Sequence, residues 1–89
     1  MNWRQIIDKY YSDNAELKDI LLRHSSAVAR KALDIAERHP ELNLDLNFIE
    51  EAAMLHDIGV IKTDAPDIKC YGHEPYIRHG VLGAEMLRA

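Results

Sequence analysis

The stretch Ala53-Met54-Leu55-His56-Asp57-Ile58-Gly59 decides the fold, because it ends an apolar helical pattern with two polar residues. A histidine near the carboxyl end of a helix interacts favourably with the helix dipole, whereas an aspartate there opposes it. Burial of a carboxylate beside an imidazole is also costly unless both groups find partners. Adjacent helix positions point about 100° apart, so both side chains can reach one ion lying between them. We therefore predict that His56 and Asp57 bind a metal cation.

The helix that leads into this stretch is predicted to begin at Asn47. Asn47 and Glu50 have the spacing of a capping box, in which each side chain bonds to an unpaired backbone N–H of the first turn. One face of this helix carries Ile49, Ala52, Ala53 and His56. Gly59 is expected to end the helix in a left-handed conformation, which a residue without a Cβ adopts easily.

A longer helix is predicted upstream, over residues 14–38, and it supplies a third candidate metal ligand. Pro40 ends this helix, because proline disfavours helical backbone at the residue before it. His24 lies on the apolar face of the helix. A single histidine in such a place is often a packed core residue, but it can also share an ion with the His-Asp pair if the two helices pack together. The apolar face is formed by Leu17, Ile20, Leu21, Val28, Ala32 and Ile35.

Two further segments precede the His-Asp pair. A first helix is predicted over residues 2–11, where apolar residues recur at spacings of three and four. A capping box of Asp13 and Glu16 is expected to begin the second helix. In residues 41–46 leucines alternate with polar residues, so part of this connection is expected to be extended and half-buried.

The segments that follow the pair complete an all-α fold, a helical bundle in one domain spanning residues 1–89. Residues 62–74 are predicted to form an irregular loop, and a loop of this length is often functional. The last helix is predicted over residues 75–88, with Pro75 in its first turn.

The composition indicates a small folded protein and excludes several classes of partner. The chain has 89 residues, of which 47% are hydrophobic and 29% charged, as in one folded domain. Its net charge of −4 gives no support to binding of a nucleic-acid polymer or an anionic membrane. Cys70 is the only cysteine, so no disulfide can form within the chain. No apolar run approaches the ~20 residues of a membrane span, and the first residues do not open a secretory signal, so a cytoplasmic location is expected.

Two further histidines, His73 and His79, are candidates for the same site. His79 can reach it if the last helix packs on the other two, although packing on a helix face is an equally good explanation. His73 lies in the predicted loop, where a surface position is the common outcome. The mixed imidazole and carboxylate donors favour a divalent ion such as Fe, Mn, Co, Ni or Zn, with Mg a further candidate. A structural zinc site is disfavoured, because there is no cysteine cluster.

Three segments resemble the HD superfamily of metal-dependent phosphohydrolases, in its subgroup with the HDIG motif. The run His56-Asp57-Ile58-Gly59 resembles the motif itself, and residues 21–29, around His24, resemble the first metal-ligand helix. Residues 76–87 resemble the downstream segment, in which a histidine is followed by a glycine four residues later. The resemblance covers roughly residues 17–89.

The resemblance implies a helical fold in which His24, His56 and Asp57 bind a divalent metal. In such enzymes the metal polarises a phosphoryl oxygen and lowers the pKa of a bound water, which attacks phosphorus. Asp57 is therefore implied in catalysis as well as in metal binding. His79 matches the position of a further metal ligand, and His73 is a second such candidate or a phosphate contact.

The resemblance also implies a phosphorylated substrate, either a small phosphate ester or a nucleotide. Lys62 and Arg78 are candidate catalytic groups, because cations near the phosphate offset the charge of the transition state. For both residues an ordinary solvated charge is the competing explanation.

One departure from the family pattern concerns the last metal ligand. The family has a final aspartate well downstream, on a later helix, but after Asp57 this chain has only Asp64 and Asp67, close by in the loop. We therefore expect the chain to be an N-terminal portion of the fold, without its closing helices. Apolar faces without their cover favour association, so a homo-oligomer or swapped assembly is expected.

Three functions stay open from the sequence. The first is a metal-dependent phosphohydrolase domain. The second is a non-catalytic module of the same type that binds a ligand or transmits a signal, which the absent aspartate favours. The third is a helical interaction domain whose histidines are core residues, which the four-residue motif makes the least favoured.

Overall fold

The computed structural model describes residues 2–88 and contains four α-helices, joined by 3₁₀ turns and one short hairpin. The all-α prediction is confirmed, and the limits of the first two helices agree closely with the predicted ones. The terminal residues of the predicted domain, Met1 and Ala89, lie outside the described residues. The helices are α1 (Trp3–Tyr11), α2 (Ala15–Glu37), α3 (Leu46–Leu55) and α4 (His79–Arg88).

The starts of α2 and α3 are capped by side chains other than the predicted ones. The Asn14 side chain accepts a hydrogen bond of 3.1 Å from the backbone N–H three residues later. The Asp45 side chain does the same at the start of α3, also at 3.1 Å. The capping boxes predicted to start at Asp13 and Asn47 are therefore wrong. In each case a second Asx residue lies nearby, and the one with extended or non-helical backbone takes the capping place.

Helices α2 and α3 pack against each other along a face of small residues. Ala53 and Met54 of α3 form a buried cluster with Ala29 of α2. This face is rotated from the predicted apolar stripe, because Ile20 and Ile35 are exposed. Small side chains at the contact allow a short distance between helix axes. The buried residues of α2 are Leu17, Leu21, Ser25, Ala29 and Ala36.

Helix α1 completes the core at the end of the molecule where α3 stops. Ile7 and Tyr11 of this helix are buried together with Leu55 and Ile58, which flank the His-Asp pair. Met86 of α4 joins the same cluster. The segment after α3 is therefore enclosed by residues from both ends of the described chain.

The predicted irregular loop 62–74 is wrong, because most of these residues form a compact hairpin. Strands β1 (Asp64–Ala65) and β2 (Cys70–Tyr71) pair in antiparallel orientation. A 3₁₀ turn over Pro66–Ile68 and a left-handed Lys69, with φ 65°, reverse the chain between them. Strands of two residues are too short to leave an alternating pattern in the sequence.

Gly59 lies against α4 and does not end a helix in the predicted left-handed conformation. Helix α3 already ends at Leu55, and no glycine among residues 2–88 has a positive φ. A Cβ on Gly59 would collide with the backbone carbonyl of His79 and the backbone nitrogen of Gly83. Glycine is needed here for the close approach of two backbones. That approach brings the start of α4 to the segment that follows Asp57.

The connection between α2 and α3 is exposed. Its first part is a 3₁₀ turn, Pro40–Leu42, and Asn43 follows in a left-handed conformation with φ 49°. The extended, half-buried segment predicted for residues 41–46 is therefore wrong. Its three leucines, Leu42, Leu44 and Leu46, are all exposed. Among the helices of the described chain, none is both long and apolar enough to cross a membrane.

Candidate metal centre

Asp57 lies at the centre of a cluster of imidazoles from separate segments. Its Oδ2 atom is 3.1 Å from Nε2 of His24 and 3.1 Å from Nε2 of His56. One donor atom from each of the three residues lies within 4.8 Å of the other two. Ligand atoms held about 2.1 Å from one ion are themselves roughly 3–4 Å apart. The three predicted ligands therefore have the spacing and the donor chemistry of a divalent-metal site.

The positions of these ligands follow from the way α3 ends. His56 is the C-cap of the helix and still has helical backbone, with φ −62° and ψ −29°. Asp57 lies one residue further on, at φ −108° and ψ 15°, where a 3₁₀ turn over Ile58–Lys62 begins. The backbone therefore leaves the regular α3 geometry between His56 and Asp57. His24 reaches them from the middle of α2, which packs on α3.

The histidine rings are oriented by backbone carbonyls of their own turns. Nδ1 of His56 lies 2.5 Å from the carbonyl oxygen of Ala53. Nδ1 of His79 lies 2.7 Å from the carbonyl oxygen of Tyr76. A carbonyl oxygen can only accept, so Nδ1 donates in both rings. In the neutral ring this leaves the lone pair on Nε2, the atom that faces Asp57 and that a metal needs.

His79 approaches the other oxygen of the same carboxylate. Its Nε2 is 3.5 Å from Oδ1 of Asp57, a longer separation than those of His24 and His56. The ring of Tyr76 stacks on it, with centroids 4.7 Å apart. Asp57 thus faces the nitrogens of His24 and His56 with Oδ2, and that of His79 with Oδ1. This position agrees with the predicted role of His79 as a further ligand, which stays a prediction.

The cluster is sheltered on the Asp57 side and open on the His24 side. The Asp57 side chain is 19% exposed, against 37% for His56 and 56% for His24. A hollow of about 150 Å³ borders His24 and Asp57, and a larger one of about 410 Å³, between α3 and α4, borders His56. Their walls are mainly apolar, with Leu17, Leu21 and Val60 in the first and Phe48, Leu55 and Leu87 in the second.

The other predicted site residues lie at the edge of the site or away from it. Arg78 pairs with Glu74, with Nη1 and Oε2 2.9 Å apart. Lys62 is exposed at the end of the 3₁₀ turn, and His73 is exposed after β2. Within the part of the chain that the structure describes, His73 makes no ion pair or hydrogen bond with Asp57. The structure therefore does not bring His73, Lys62 or Arg78 to the carboxylate, and their roles stay predictions.

One residue beside the site was missed by the sequence interpretation. The Tyr11 hydroxyl donates a hydrogen bond of 2.6 Å to the carbonyl oxygen of Ile58, directly after Asp57 in the chain. Burial raises the pKa of this hydroxyl well above its ordinary value. The available signal was weak, because a tyrosine at the end of an amphipathic helix is usually part of the core.

A scan of protein families gives a match between the HD domain family and residues 21–89. Neither a curated protein nor a solved structure shows significant similarity to the chain. The matched region contains His24, the His-Asp pair and His79, and it covers well over half of the sequence. HD domains are in general metal-dependent phosphohydrolases that bind divalent metal ions, in agreement with the His-His-Asp cluster. The chain belongs to the HD domain family.

Proposed function

We propose that this protein is a metal-dependent phosphohydrolase domain that acts on a phosphate ester or a nucleotide, as a member of the HDIG subgroup. The observation that carries the proposal is the convergence of His24, His56 and Asp57, whose donor atoms lie within 4.8 Å of one another. Surface groups brought together by chance rarely combine this spacing with a ring, that of His56, already oriented through its second nitrogen.

In this proposal His24 and His56 would hold the metal through Nε2, and Asp57 would hold it through its carboxylate. A divalent cation held there would polarise a phosphoryl oxygen and lower the pKa of water beside it. The Nδ1 hydrogen bond of His56 to Ala53 fixes the ring before any ion arrives. His79 faces Oδ1 of Asp57. It would orient the carboxylate or bind a further ion.

Cationic side chains for the phosphate would come from the rim of the site. Arg78 lies on the 3₁₀ turn that leads into α4, one residue before His79. Its guanidinium is paired with Glu74, so a phosphate would compete with that carboxylate for it. Arginine suits this exchange, because its planar fork binds carboxylate and phosphate with the same geometry. Lys62 is the second candidate.

The rest of the substrate would lie in a hollow beside the cluster. The hollow between α3 and α4, of about 410 Å³, has the volume of a small-molecule site and includes His56 in its wall. Its lining is mainly apolar, so it would hold the organic part of a phosphate ester better than a second phosphate.

Metal content is the first test of this proposal. The purified protein is expected to retain a divalent metal, whose identity elemental analysis will give. His56→Ala is expected to lose most of it, because one of two imidazole donors is removed. His39→Ala is the matched control, because His39 lies beyond the end of α2 and pairs with Glu41. Equal metal content in the wild type and in His56→Ala would contradict the site.

Activity is the second test. The metal-loaded protein is expected to release phosphate from an aryl phosphate or from nucleoside monophosphates, and Asp57→Asn is expected to reduce release to background. His39→Ala should keep the wild-type rate. Phosphate release that a chelator leaves unchanged would exclude the proposed chemistry.

A non-catalytic ligand-binding module is the second candidate function. One observation favours it: among residues 2–88 the cluster contains a single carboxylate, Asp57. In that case nucleotides would bind to the metal-loaded protein in calorimetry without being hydrolysed. The predicted homo-oligomer remains a proposal, supported by the exposed apolar side chains Phe48, Ile77 and Val81. A monomer mass in light scattering would contradict it.

A further inference from the structure

Helix α1 precedes the region that matches the HD domain family, which begins at residue 21. Its last residue nevertheless bonds to the segment that carries the metal ligands. We infer that Tyr11 is a positioning residue for the metal centre, which it serves by fixing the turn that holds Asp57. The inference rests on the metal site proposed above. It makes α1, which lies outside the residues that match the family, necessary for full metal affinity.

The contact between Tyr11 and this turn is short and enclosed. The Tyr11 hydroxyl donates to the carbonyl oxygen of Ile58 at 2.6 Å, and both residues are 0% exposed. The ring packs in the core cluster with Leu55 and Ile58, on either side of the His-Asp pair. A hydroxyl that water cannot reach has few alternatives to this acceptor, so the bond holds the Ile58 peptide in one orientation.

The turn needs such a restraint because α3 no longer supports it. The helix ends at Leu55, and Asp57 has φ −108° and ψ 15°, outside the helical region. The Asp57 carbonyl accepts from Val60 N–H at 3.1 Å, in the first bond of the 3₁₀ turn. The Ile58 carbonyl belongs to the peptide between Ile58 and Gly59, so a rotation of that peptide would alter ψ of Ile58 and φ of Gly59. It would shift the chain directly after Asp57 and, through it, the position of the Asp57 carboxylate relative to the two imidazoles.

A second tyrosine of α1 gives a matched comparison. Tyr10 donates through its hydroxyl to the carbonyl oxygen of Met86 at 3.2 Å. Met86 lies near the far end of α4, about two turns from His79. Tyr10→Phe thus deletes the same atom from the same helix, but its acceptor is remote from the metal ligands. If Tyr11 acted only by binding α1 to the core, the two deletions would have the same kind of effect.

Folding stability alone does not separate positioning from packing, because loss of a buried hydrogen bond weakens the fold in either case. Metal affinity does separate them. A residue that orients a ligand stabilises the metal-loaded state more than the metal-free state. A residue that only packs stabilises both states equally and leaves the dissociation constant unchanged.

The experiment compares the full chain with Tyr11→Phe, Tyr10→Phe and Ile7→Val. Ile7→Val is a second control, since it weakens the buried face of α1 without removing a hydrogen bond. The Kd for Co²⁺ is measured by calorimetry, and the visible spectrum of the bound Co²⁺ reports its ligand geometry. Urea unfolding is measured with and without the ion.

Tyr11→Phe is expected to weaken Co²⁺ binding about tenfold, at the low end of the range for residues that orient metal ligands. Tenfold corresponds to about 1.4 kcal/mol of additional destabilisation in the metal-saturated protein compared with the metal-free protein. The spectrum of the bound ion should change as well. Tyr10→Phe and Ile7→Val should keep the wild-type Kd within about twofold, with an unchanged spectrum.

Three results would overturn the inference. The first is a wild-type Kd and spectrum in Tyr11→Phe, which would leave the metal site intact and make Tyr11 a packing residue. The second is an equal loss of affinity in all three variants. If Tyr11→Phe does not fold in plain buffer, the comparison is made in trimethylamine oxide, which favours compact states. The third result is a Tyr11→Phe variant that does not fold even in trimethylamine oxide, since the hydrogen bond would then be required for folding itself. A wild type that binds no Co²⁺ refutes the proposed metal site itself.

Discussion

Replacement of Gly59 by alanine is the sharpest test of how α4 approaches the candidate metal centre. The added Cβ would meet the His79 carbonyl oxygen and the Gly83 nitrogen, and it would lie 3.0 Å from Gly83 Cα. All of these are backbone atoms, so no side chain can rotate away to make room. Helix α4 would have to move, and Leu82, which is buried against the core, would lose part of its packing.

The free energy of unfolding is expected to fall by about 3 kcal/mol. Overpacking of a rigid contact costs about 1–3 kcal/mol, and the upper end applies here because backbone atoms cannot easily move aside. In a domain of this size 1 kcal/mol shifts Tm by roughly 4–8 °C, so Tm should fall by about 15 °C. His79 is the first residue of α4 and would move with it. Its Nε2 would then leave its position 3.5 Å from Asp57.

Gly80→Ala is the matched control, one residue beyond His79. A Cβ at Gly80 would have no heavy atom within 4 Å, and the residue lies inside α4. Alanine there should stabilise the helix by about 0.5 kcal/mol. Urea unfolding followed by helical circular dichroism and by Trp3 fluorescence will measure both variants. A loss below about 1 kcal/mol in Gly59→Ala would refute the close approach of the two backbones.

Three further predictions concern stability. Ser25→Ala should leave the free energy of unfolding unchanged or raise it by up to about 1 kcal/mol, because the Ser25 hydroxyl is buried without a partner among the described residues; a clear loss in urea unfolding would contradict this. Asn14→Ala should cost about 2 kcal/mol, because it removes both the cap of α2 and a 2.8 Å bond to the Lys69 carbonyl. Asn14→Ser, which can keep only the cap, should recover about half of that loss. Burial raises the pKa of both Tyr11 and Cys70, so the folded protein keeps these protons after the unfolded chain has released them. The contribution of these two protons to the free energy of unfolding should therefore be complete below about pH 8. It should fall above about pH 9, by at most about 1.4 kcal/mol per pH unit for each group. In Tyr11→Phe the fall should be shallower, and a flat wild-type profile up to about pH 11 would be inconsistent with the burial.

The sequence was sufficient to locate the first two helices and to name the three donors that lie close together, although the last helix begins at His79 and not at residue 75. Apolar periodicity located α1 and α2, and the unfavourable place of Asp57 at a helix end pointed to a cation. His24 was recognisable only as a partner for that pair, because its own position also suits a core residue. The helix limits and the closeness of the donors could be predicted because each depends on a local spacing or on one charged group whose burial needs a partner. Metal binding itself stays a prediction.

The features that were missed depend on contacts between distant segments. The role of Gly59 in packing against Gly83 is one example, because a glycine after a helix looks the same whether it adopts a positive φ or admits another backbone. The Tyr11 hydrogen bond is another, since its acceptor is a carbonyl 47 residues away. Ser25 is buried and Ile20 is exposed because of the way α2 packs on α3. The periodicity of a single helix does not give that packing.

The small residues between α2 and α3 have a consequence for which ion the proposed metal site would select. His24 projects from α2 and His56 follows α3, so the distance between their nitrogens depends on how closely the two helices pack. Ala29 and Ala53 belong to the buried cluster between these helices. Bonds to Zn²⁺ or Mg²⁺ are about 2.0–2.1 Å long and those to Ca²⁺ about 2.3–2.6 Å, differences of a few tenths of an ångström. The spacing of the two helices would therefore determine which ionic radius fits the site, and that spacing depends on alanines that do not contact the ion. We expect selectivity among divalent cations to change when one of those alanines is enlarged, even though every donor atom is kept.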